Sequence, residues 1–138
     1  PNADSSRVLI ADTSHLHLTA DVEGLTLYFL SDTTGYLIAS SQGSNSFAVF
    51  TREEPNTFIG SFEIIDGEEV DGVSETDGID VSHIALGTDY PNGIFIAQDG
   101  YNVAKGDTIN QNFKLVSWTI IANSFEPPLS IISQEKTE

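Results

Sequence analysis

Short apolar runs separated by turn residues recur along most of this chain. Each run mixes β-branched, aromatic and aliphatic residues over lengths that suit a strand rather than a helix. The predicted strands are 7–11, 25–30, 35–41, 46–51, 57–65, 93–98 and 111–118. The polar stretches 31–34 and 52–56 lie between consecutive runs, and they predict two hairpins. The pattern therefore predicts an all-β fold.

Helical periodicity is nearly absent. No segment of about ten residues or more repeats its apolar positions at the helical period of about 3.6, and only 118–125 could form one or two helical turns. Short strands with regular turns are typical of a sandwich, a barrel or propeller blades. A propeller blade takes about four strands in roughly 40–50 residues, so the chain would hold about two to three blades, too few to close a ring.

The composition of the chain excludes several classes of partner and of chemistry. The 138 residues carry a net charge of −16 with only five Lys and Arg, so no basic patch is available to neutralise nucleic-acid phosphates. There is no Cys, which excludes disulfides and thiolate chemistry. No apolar run approaches the roughly 18 residues of a membrane span, and the polar start "PNADSSR" shows no signal peptide. The acids are either a solubility device or ligands for a hard cation.

The acids concentrate in "VDGVSETDGID" at 70–80, inside a predicted loop at 66–83. Asp71, Glu75, Asp77 and Asp80 fall within these eleven positions. Asp-Gly pairs favour turns, and glycine lets backbone carbonyls approach a cation. The spacing is not that of an EF-hand. A calcium loop of another geometry and a solvent-exposed acidic loop are both compatible with it.

Further candidates lie at strand ends. Asp21 and Glu23 stand two apart before a strand, so in extended backbone they would share a side and repel each other unless a cation or proton intervened. Gln42 follows the strand at 35–41 and could offer a carbonyl oxygen to a metal or an amide to a phosphate. Asp99 and Asn102 come after the strand at 93–98. Taken singly, each of these positions is equally compatible with a plain turn or a solvated strand end.

The sequence lacks the usual nucleophile signatures. There is no G-x-S-x-G elbow, no P-loop and no H-E-x-x-H pattern. His15 and His17 could share a metal, but no third ligand is near them in sequence, so a surface strand is favoured there. If the chain carries out chemistry, metal-activated water is the mechanism that remains.

Five blocks, in this order and spacing, resemble the β-propeller phytases. They are "DVEGLTLYF" at 21–29, "GYLIASSQG" at 35–43, "DGVSETDGID" at 71–80, "YPNGIFIAQDG" at 90–100 and "NQNFKLVSW" at 110–118. The resemblance covers about 7–121. It implies a six-bladed propeller with calcium ions at one end of its channel. It also implies calcium-dependent hydrolysis of the phosphate monoesters of phytate (myo-inositol hexakisphosphate), taken as its calcium complex.

The resemblance also implies roles for single residues. Asp21, Glu23 and Asp71 would serve catalysis, the first two lining the calcium cluster and Asp71 bridging calcium ions. Gln42 would be a polar ligand of the same cluster, and Asp77 would support calcium or the loop. The implied metal ligands are Asp21, Glu23, Gln42, Asp71, Asp77 and Asn102, the last at a structural calcium.

The chain is much shorter than a complete member of that family. It corresponds to the last two blades and an outer strand of the preceding blade, so residues 1–138 would be one part of a single propeller domain, with 126–138 as a polar tail. The upstream Lys and Arg residues that hold substrate phosphates in the family are missing. The alternative function is therefore a catalytically incomplete fragment that binds calcium or phosphate or assembles with a partner. The resemblance implies association with the remaining blades or with further copies, and secretion; neither nucleic acid nor a membrane is expected as a partner.

Overall fold

The computed structural model describes residues 8–14 and 17–132, and it is an all-β structure with one short α-helix and one 3₁₀ helix at Gln42–Ser44. Antiparallel pairing joins the strands into three sheets, none of which closes on itself. The elements are β1 (Leu25–Phe29), β2 (Gly35–Ser41), β3 (Ser46–Thr51), β4 (Phe58–Phe62), β5 (Ile79–Ser82), β6 (Ile94–Asp99), β7 (Val103–Ala104), β8 (Asp107–Thr108), β9 (Asn112–Ser117) and α1 (Trp118–Asn123).

The first sheet is a four-stranded meander in the order β1-β2-β3-β4. Both predicted hairpins are confirmed. In the first, Leu27 pairs with Leu37, and the amide of Leu30 donates to the carbonyl of Thr34 at 3.0 Å to close the turn. The second hairpin turns at Asn56, whose positive φ of 58° suits the left-handed backbone that Asn tolerates.

The second sheet has the order β5-β6-β9, with β6 in the centre. Ala97 in β6 pairs with Ile79 on one side and with Lys114 on the other. The small β7-β8 hairpin follows β6 and turns at Lys105 and Gly106, which both have positive φ.

The main core lies between the two larger sheets. Alternate side chains of the first sheet, such as Ile38 and Phe47, pack against Phe95 of the second sheet. The rings of Phe47 and Phe95 lie 5.1 Å apart, and Trp118 of α1 stacks on Tyr28 at 4.2 Å. The core residues are Tyr28, Tyr36, Ile38, Phe47, Val49, Phe62, Val73, Phe95, Ala97, Trp118, Ile121, Ala122 and Leu129.

The opposite face of the first sheet carries a smaller apolar cluster. Ala39, Ala48 and Phe50 lie on this face, and Leu18 from the segment that leads into β1 covers them in part. An apolar groove of about 480 Å³ remains between that segment and the sheet, lined by Ile10 and Leu37 among others. This face is therefore only partly covered by the described part of the chain.

One predicted strand is not observed, and three observed strands, β5, β7 and β8, were not predicted. Residue 7 lies outside the described residues, and 8–11 form no strand because they pair with no other described segment; Val8 is 78% exposed. The predicted loop 66–83 contains the strand β5, whose apolar content is small but whose backbone pairs with β6.

The chain end also differs from the expected polar tail. Leu129 is buried, and its amide donates to the carbonyl of Ala122 at 2.9 Å. The amide of Ser130 donates to the hydroxyl of Tyr36 at 2.7 Å. The segment 126–132 is therefore attached to the core through Leu129 and Ser130, although most of its side chains are exposed, and 133–138 lie outside the described residues. The predicted helical turns at 118–125 are confirmed as α1. No helix in the described ranges is long and apolar enough to cross a membrane.

Candidate functional site

All the predicted site residues lie on segments at one end of the two sheets. Antiparallel pairing places the start of β1, the end of β2, the end of β4, the start of β5 and the end of β6 at this end. The amide of Glu75 donates to Oδ1 of Asn45 at 3.0 Å, which joins the two sheets there. The predicted residues are Asp21 and Glu23 before β1, Gln42 after β2, Asp71 and Asp77 in the 63–78 loop, and Asn102 after β6.

Buried hydroxyl groups at the end of β2 fix the backbone of the segment that leads into β1. Oγ of Ser40 accepts hydrogen bonds from the amides of Glu23 at 3.0 Å and Gly24 at 2.8 Å. The amide of Gln42 donates to the carbonyl of Asp21 at 2.9 Å. At Gly43 a Cβ would overlap the carbonyl oxygen of Ala20, so only glycine allows this approach. Asp21 and Glu23 therefore have a fixed backbone and exposed side chains.

Asp77 is held between the ends of β2 and β6 by two amide side chains. Nε2 of Gln42 donates to Oδ1 of Asp77 at 3.2 Å, and the backbone amide of Asp77 donates to Oε1 of Gln98 at 2.7 Å. Nε2 of Gln42 also lies 3.4 Å from the carbonyl of Thr76. The structure thus brings the predicted residues Gln42 and Asp77 into contact, next to the backbone of Asp21.

Asp71 lies in a different set of contacts, centred on a lysine. Oδ1 of Asp71 accepts from Nζ of Lys114 at 2.5 Å, and Oδ2 accepts from the amide of Val103 at 2.5 Å. The hydrogen bond from Lys114 holds the pKa of Asp71 below its usual value, against the opposing effect of desolvation. Asp71 is therefore ionised at neutral pH, and its side chain is 18% exposed.

Lys114 completes a buried charge cluster with Asp99 and Asn102. Its Nζ lies 3.2 Å from Oδ2 of Asp99 and 3.1 Å from Oδ1 of Asn102. Burial alone would lower the pKa of Lys114, but the hydrogen bonds and charges of Asp71 and Asp99 outweigh this and raise it. Asp99 is fully buried, and its Oδ1 also accepts from the amide of Ser74 at 3.1 Å. Two carboxylates and one ammonium leave this cluster with a formal charge of −1.

Asn102 holds the β7-β8 hairpin through its side-chain amide and its backbone carbonyl. Its Nδ2 donates to the carbonyl of Asn110 at 2.5 Å, and its backbone carbonyl accepts from the amide of Ile109 at 2.9 Å. These bonds close the β7-β8 hairpin, while Oδ1 contacts Lys114. The role of Asn102 as a ligand of a structural calcium stays a prediction.

Sequence reasoning named Asp99 only beside Asn102, as a residue after a strand without an assigned ligand role, and it did not select Lys114 for the site. The sequence does show a lysine between two apolar residues, Phe113 and Leu115, in a predicted strand. In the structure this lysine lies opposite Ala97 in β6. Only the register shows that Lys114 points inward and that its apolar neighbours point outward. His17 lies in a turn rather than on the predicted surface strand and stacks on Phe58 at 3.7 Å; His15 lies outside the described residues.

The donors at this end are oxygens, which suits a hard cation such as calcium. Asp66 and Asp71 both line an open cavity of about 320 Å³ together with Gly72 and Tyr101. Within residues 8–14 and 17–132, however, no three acidic or histidine side chains come close enough together to hold a metal ion. The donor chemistry of these residues fits calcium, but the described residues would supply only part of its coordination.

Comparisons with known proteins agree with the five sequence blocks. The model of the family described as Phytase matches residues 1–136. A curated protein named 3-phytase from Bacillus subtilis (strain 168) is 52% identical over 122 residues, which are 88% of this chain. The chain spans 32% of the length of that relative.

Proposed function

The chain belongs to the phytase family, and on that premise we propose that it supplies part of the active site of a calcium-dependent enzyme that hydrolyses phytate. The observation that carries this proposal is the gathering of the predicted oxygen ligands at one end of the two sheets. The similarity to a protein named 3-phytase supports a phosphate monoester of inositol as the substrate. The chain would act within a complete protein, because it spans only 32% of that relative.

We propose further that the two larger sheets are blades of a propeller. The first sheet has the four-stranded antiparallel meander of a blade within residues 25–62. Its partly covered face, and the outward side chains Phe113 and Leu115 of β9 at 64% and 53% exposure, would pack on further blades. Residues 1–138 would then be one part of a single propeller domain, completed by upstream blades.

The charges of the chain explain why calcium would be needed. A net charge of −16 repels a polyanion such as phytate. The basic residues in the described ranges would not supply a phosphate site. Lys114 is buried and paired with carboxylates, and Arg52 lies at the opposite end of the first sheet, 4.5 Å from the ring of Phe29. Lys105, in the β7-β8 turn, is exposed. Bound calcium would supply the missing positive charge and lower the pKa of the water that attacks phosphorus.

The chain's own residues would hold and orient the metal ligands. Asp21 and Glu23 would present exposed carboxylates from a backbone that Ser40 fixes. Gln42 orients Asp77 through its amide. Asp71 is already ionised and held by two donors, so it needs to lose no proton before it accepts a cation. We propose secretion of the complete protein, as is usual in the family that the sequence resembles.

The alternative function is a module that binds calcium or phosphate without turnover. It is supported by the scarcity of exposed cations in the described ranges, where Lys105 is exposed but Lys114 is buried. Both functions predict calcium uptake in calorimetry, and phosphate release distinguishes them: the module would take up calcium but release no phosphate from phytate. If calcium is not taken up either, the acids serve solvation only.

The test of the proposed function is Asp71→Asn in the complete natural chain that contains these residues. Phosphate release from calcium phytate should be lost in this variant. Glu75→Gln is the matched control, since it removes one exposed carboxylate from the same loop and should leave the release intact. Equal release by both variants would refute the role of Asp71.

A further inference from the structure

Lys114 is an unusual residue for the inner face of a sheet. It occupies an inward position of β9, opposite Ala97, and its side chain is only 7% exposed. Lysine is almost never this buried unless its charge is paired. Nζ donates hydrogen bonds to Oδ1 of Asp71 and to Oδ1 of Asn102, and it forms an ion pair with Oδ2 of Asp99, which lies 3.2 Å away and has no hydrogen-bond partner. The ammonium group of Lys114 therefore lies at the end of the sheets that carries the candidate site.

The contact with Lys114 determines how the carboxylate of Asp71 is presented. Oδ1 is held by Lys114 from β9 and Oδ2 by the amide of Val103 from β7, so neither oxygen can rotate away without losing a donor. An ionised carboxylate has about four lone-pair sites, so two donors leave capacity for a cation. Asp71 lines the open cavity shared with Asp66, from which a cation could reach it.

We propose that Lys114 is a positioning residue that holds Asp71 ready for calcium. This inference rests on the proposed function, because it takes Asp71 to be a metal ligand. Lys114 itself would touch neither metal nor substrate. It would instead act as a permanent counter-cation, so that the Asp71 carboxylate keeps its orientation before calcium arrives. Outer partners of metal ligands commonly have such a role, and their loss costs roughly 10–100-fold in metal affinity.

The test compares Asp99→Asn with the double variant Asp99→Asn/Lys114→Met in the complete natural chain. Asparagine at 99 can still accept from the amide of Ser74, and the double variant leaves no buried Asp99 charge unpaired. Its net charge equals that of the parent, since one acid and one base are removed. Relative to Asp99→Asn, the double variant is more negative by one charge, which by itself would favour a cation.

Calcium binding is measured by calorimetry at a temperature where circular dichroism shows both variants folded. We expect the dissociation constant of the double variant to be roughly 10–100-fold higher than that of Asp99→Asn. Lys105→Met, which removes an exposed lysine charge, should leave the dissociation constant of the parent unchanged. A merely structural lysine would not move calcium affinity between two folded variants.

Equal or tighter calcium binding by the double variant would overturn the positioning role of Lys114 and leave the proposed function standing. No calcium binding by the parent or by Asp99→Asn would overturn the proposed function, and the positioning role with it. Weaker binding by the double variant that is restored when Arg replaces Met at position 114 would support the role, because guanidinium also donates to a carboxylate.

Discussion

Replacing Lys114 by methionine should remove a large share of the stability of this fold. The change keeps an unbranched side chain of similar length but deletes the ammonium that lies 3.2 Å from Oδ2 of Asp99. Asp99 is fully buried. Its remaining partner is the amide of Ser74 on Oδ1, so Oδ2 would be left as an uncompensated charge in the interior.

The size of the effect follows from that geometry. Two unit charges 3.2 Å apart attract each other by about 5 kcal/mol at an effective dielectric constant near 20. Removing one partner of a buried ion pair typically costs about 3–5 kcal/mol, because the other charge stays desolvated. We therefore expect Lys114→Met to lower the free energy of unfolding by about 3–5 kcal/mol, much of the roughly 5–15 kcal/mol of an ordinary domain.

Urea unfolding followed by tryptophan fluorescence measures this directly. Trp118 is the one Trp of the chain, fully buried and stacked on Tyr28, so its emission reports the core. Adding Asp99→Asn to Lys114→Met should restore at least about 1 kcal/mol, since neighbouring residues couple in such cycles. A loss below about 1 kcal/mol for Lys114→Met, or no recovery in the double variant, would show that Lys114 does not compensate a buried charge.

Three further predictions concern the backbone and the pH dependence of stability. Gly93→Ala should lower the melting temperature more than Gly87→Ala, because both have positive φ but only at Gly93 would a Cβ overlap a carbonyl, that of Ser82; equal melting temperatures would contradict this. Burial raises the pKa of Tyr28, so its contribution to stability is complete below about pH 10 and is lost as the pH rises through the raised pKa. Tyr28→Phe should flatten the alkaline decline in melting temperature and cost about 0.5–1.5 kcal/mol at neutral pH through the lost bond to Asn92; an unchanged alkaline slope would count against it. Lys114 lowers the pKa of Asp71, so this contribution is present above about pH 4 and is lost as the pH falls below it. In calcium-free buffer Asp71→Asn should therefore show a shallower acid decline than the parent, and the same slope in both would disprove the effect.

Local pattern was sufficient for the hairpins. The runs at 25–30 and 35–41 are short and rich in apolar residues, and the stretch between them has turn chemistry, so β1 and β2 could be predicted. The strand β5 could not, because Asp80 and Ser82 make it polar and its strand conformation depends on pairing with β6, a contact distant in sequence. Residues 8–11 are apolar but find no pairing partner, so the same local rule failed there.

The location of the candidate site could be predicted better than the contacts between its residues. Strand order alone brings Asp21, Gln42 and Asp77 to one end of the sheets, and the structure places the latter two in contact. Lys114 could not be assigned from sequence, because a lysine between two apolar residues in a strand can face either solvent or core. The register with β6 decides between these, and register is a tertiary property. The roles of the six predicted residues as calcium ligands stay predictions.

The most direct test of the account is phosphate release from calcium phytate by the complete natural chain that contains these residues, with and without EDTA. We expect release that EDTA abolishes, that added calcium restores, and that Asp71→Asn lacks. Release that continues undiminished in EDTA, or in Asp71→Asn, would contradict the claim that calcium held at this end of the sheets performs the reaction.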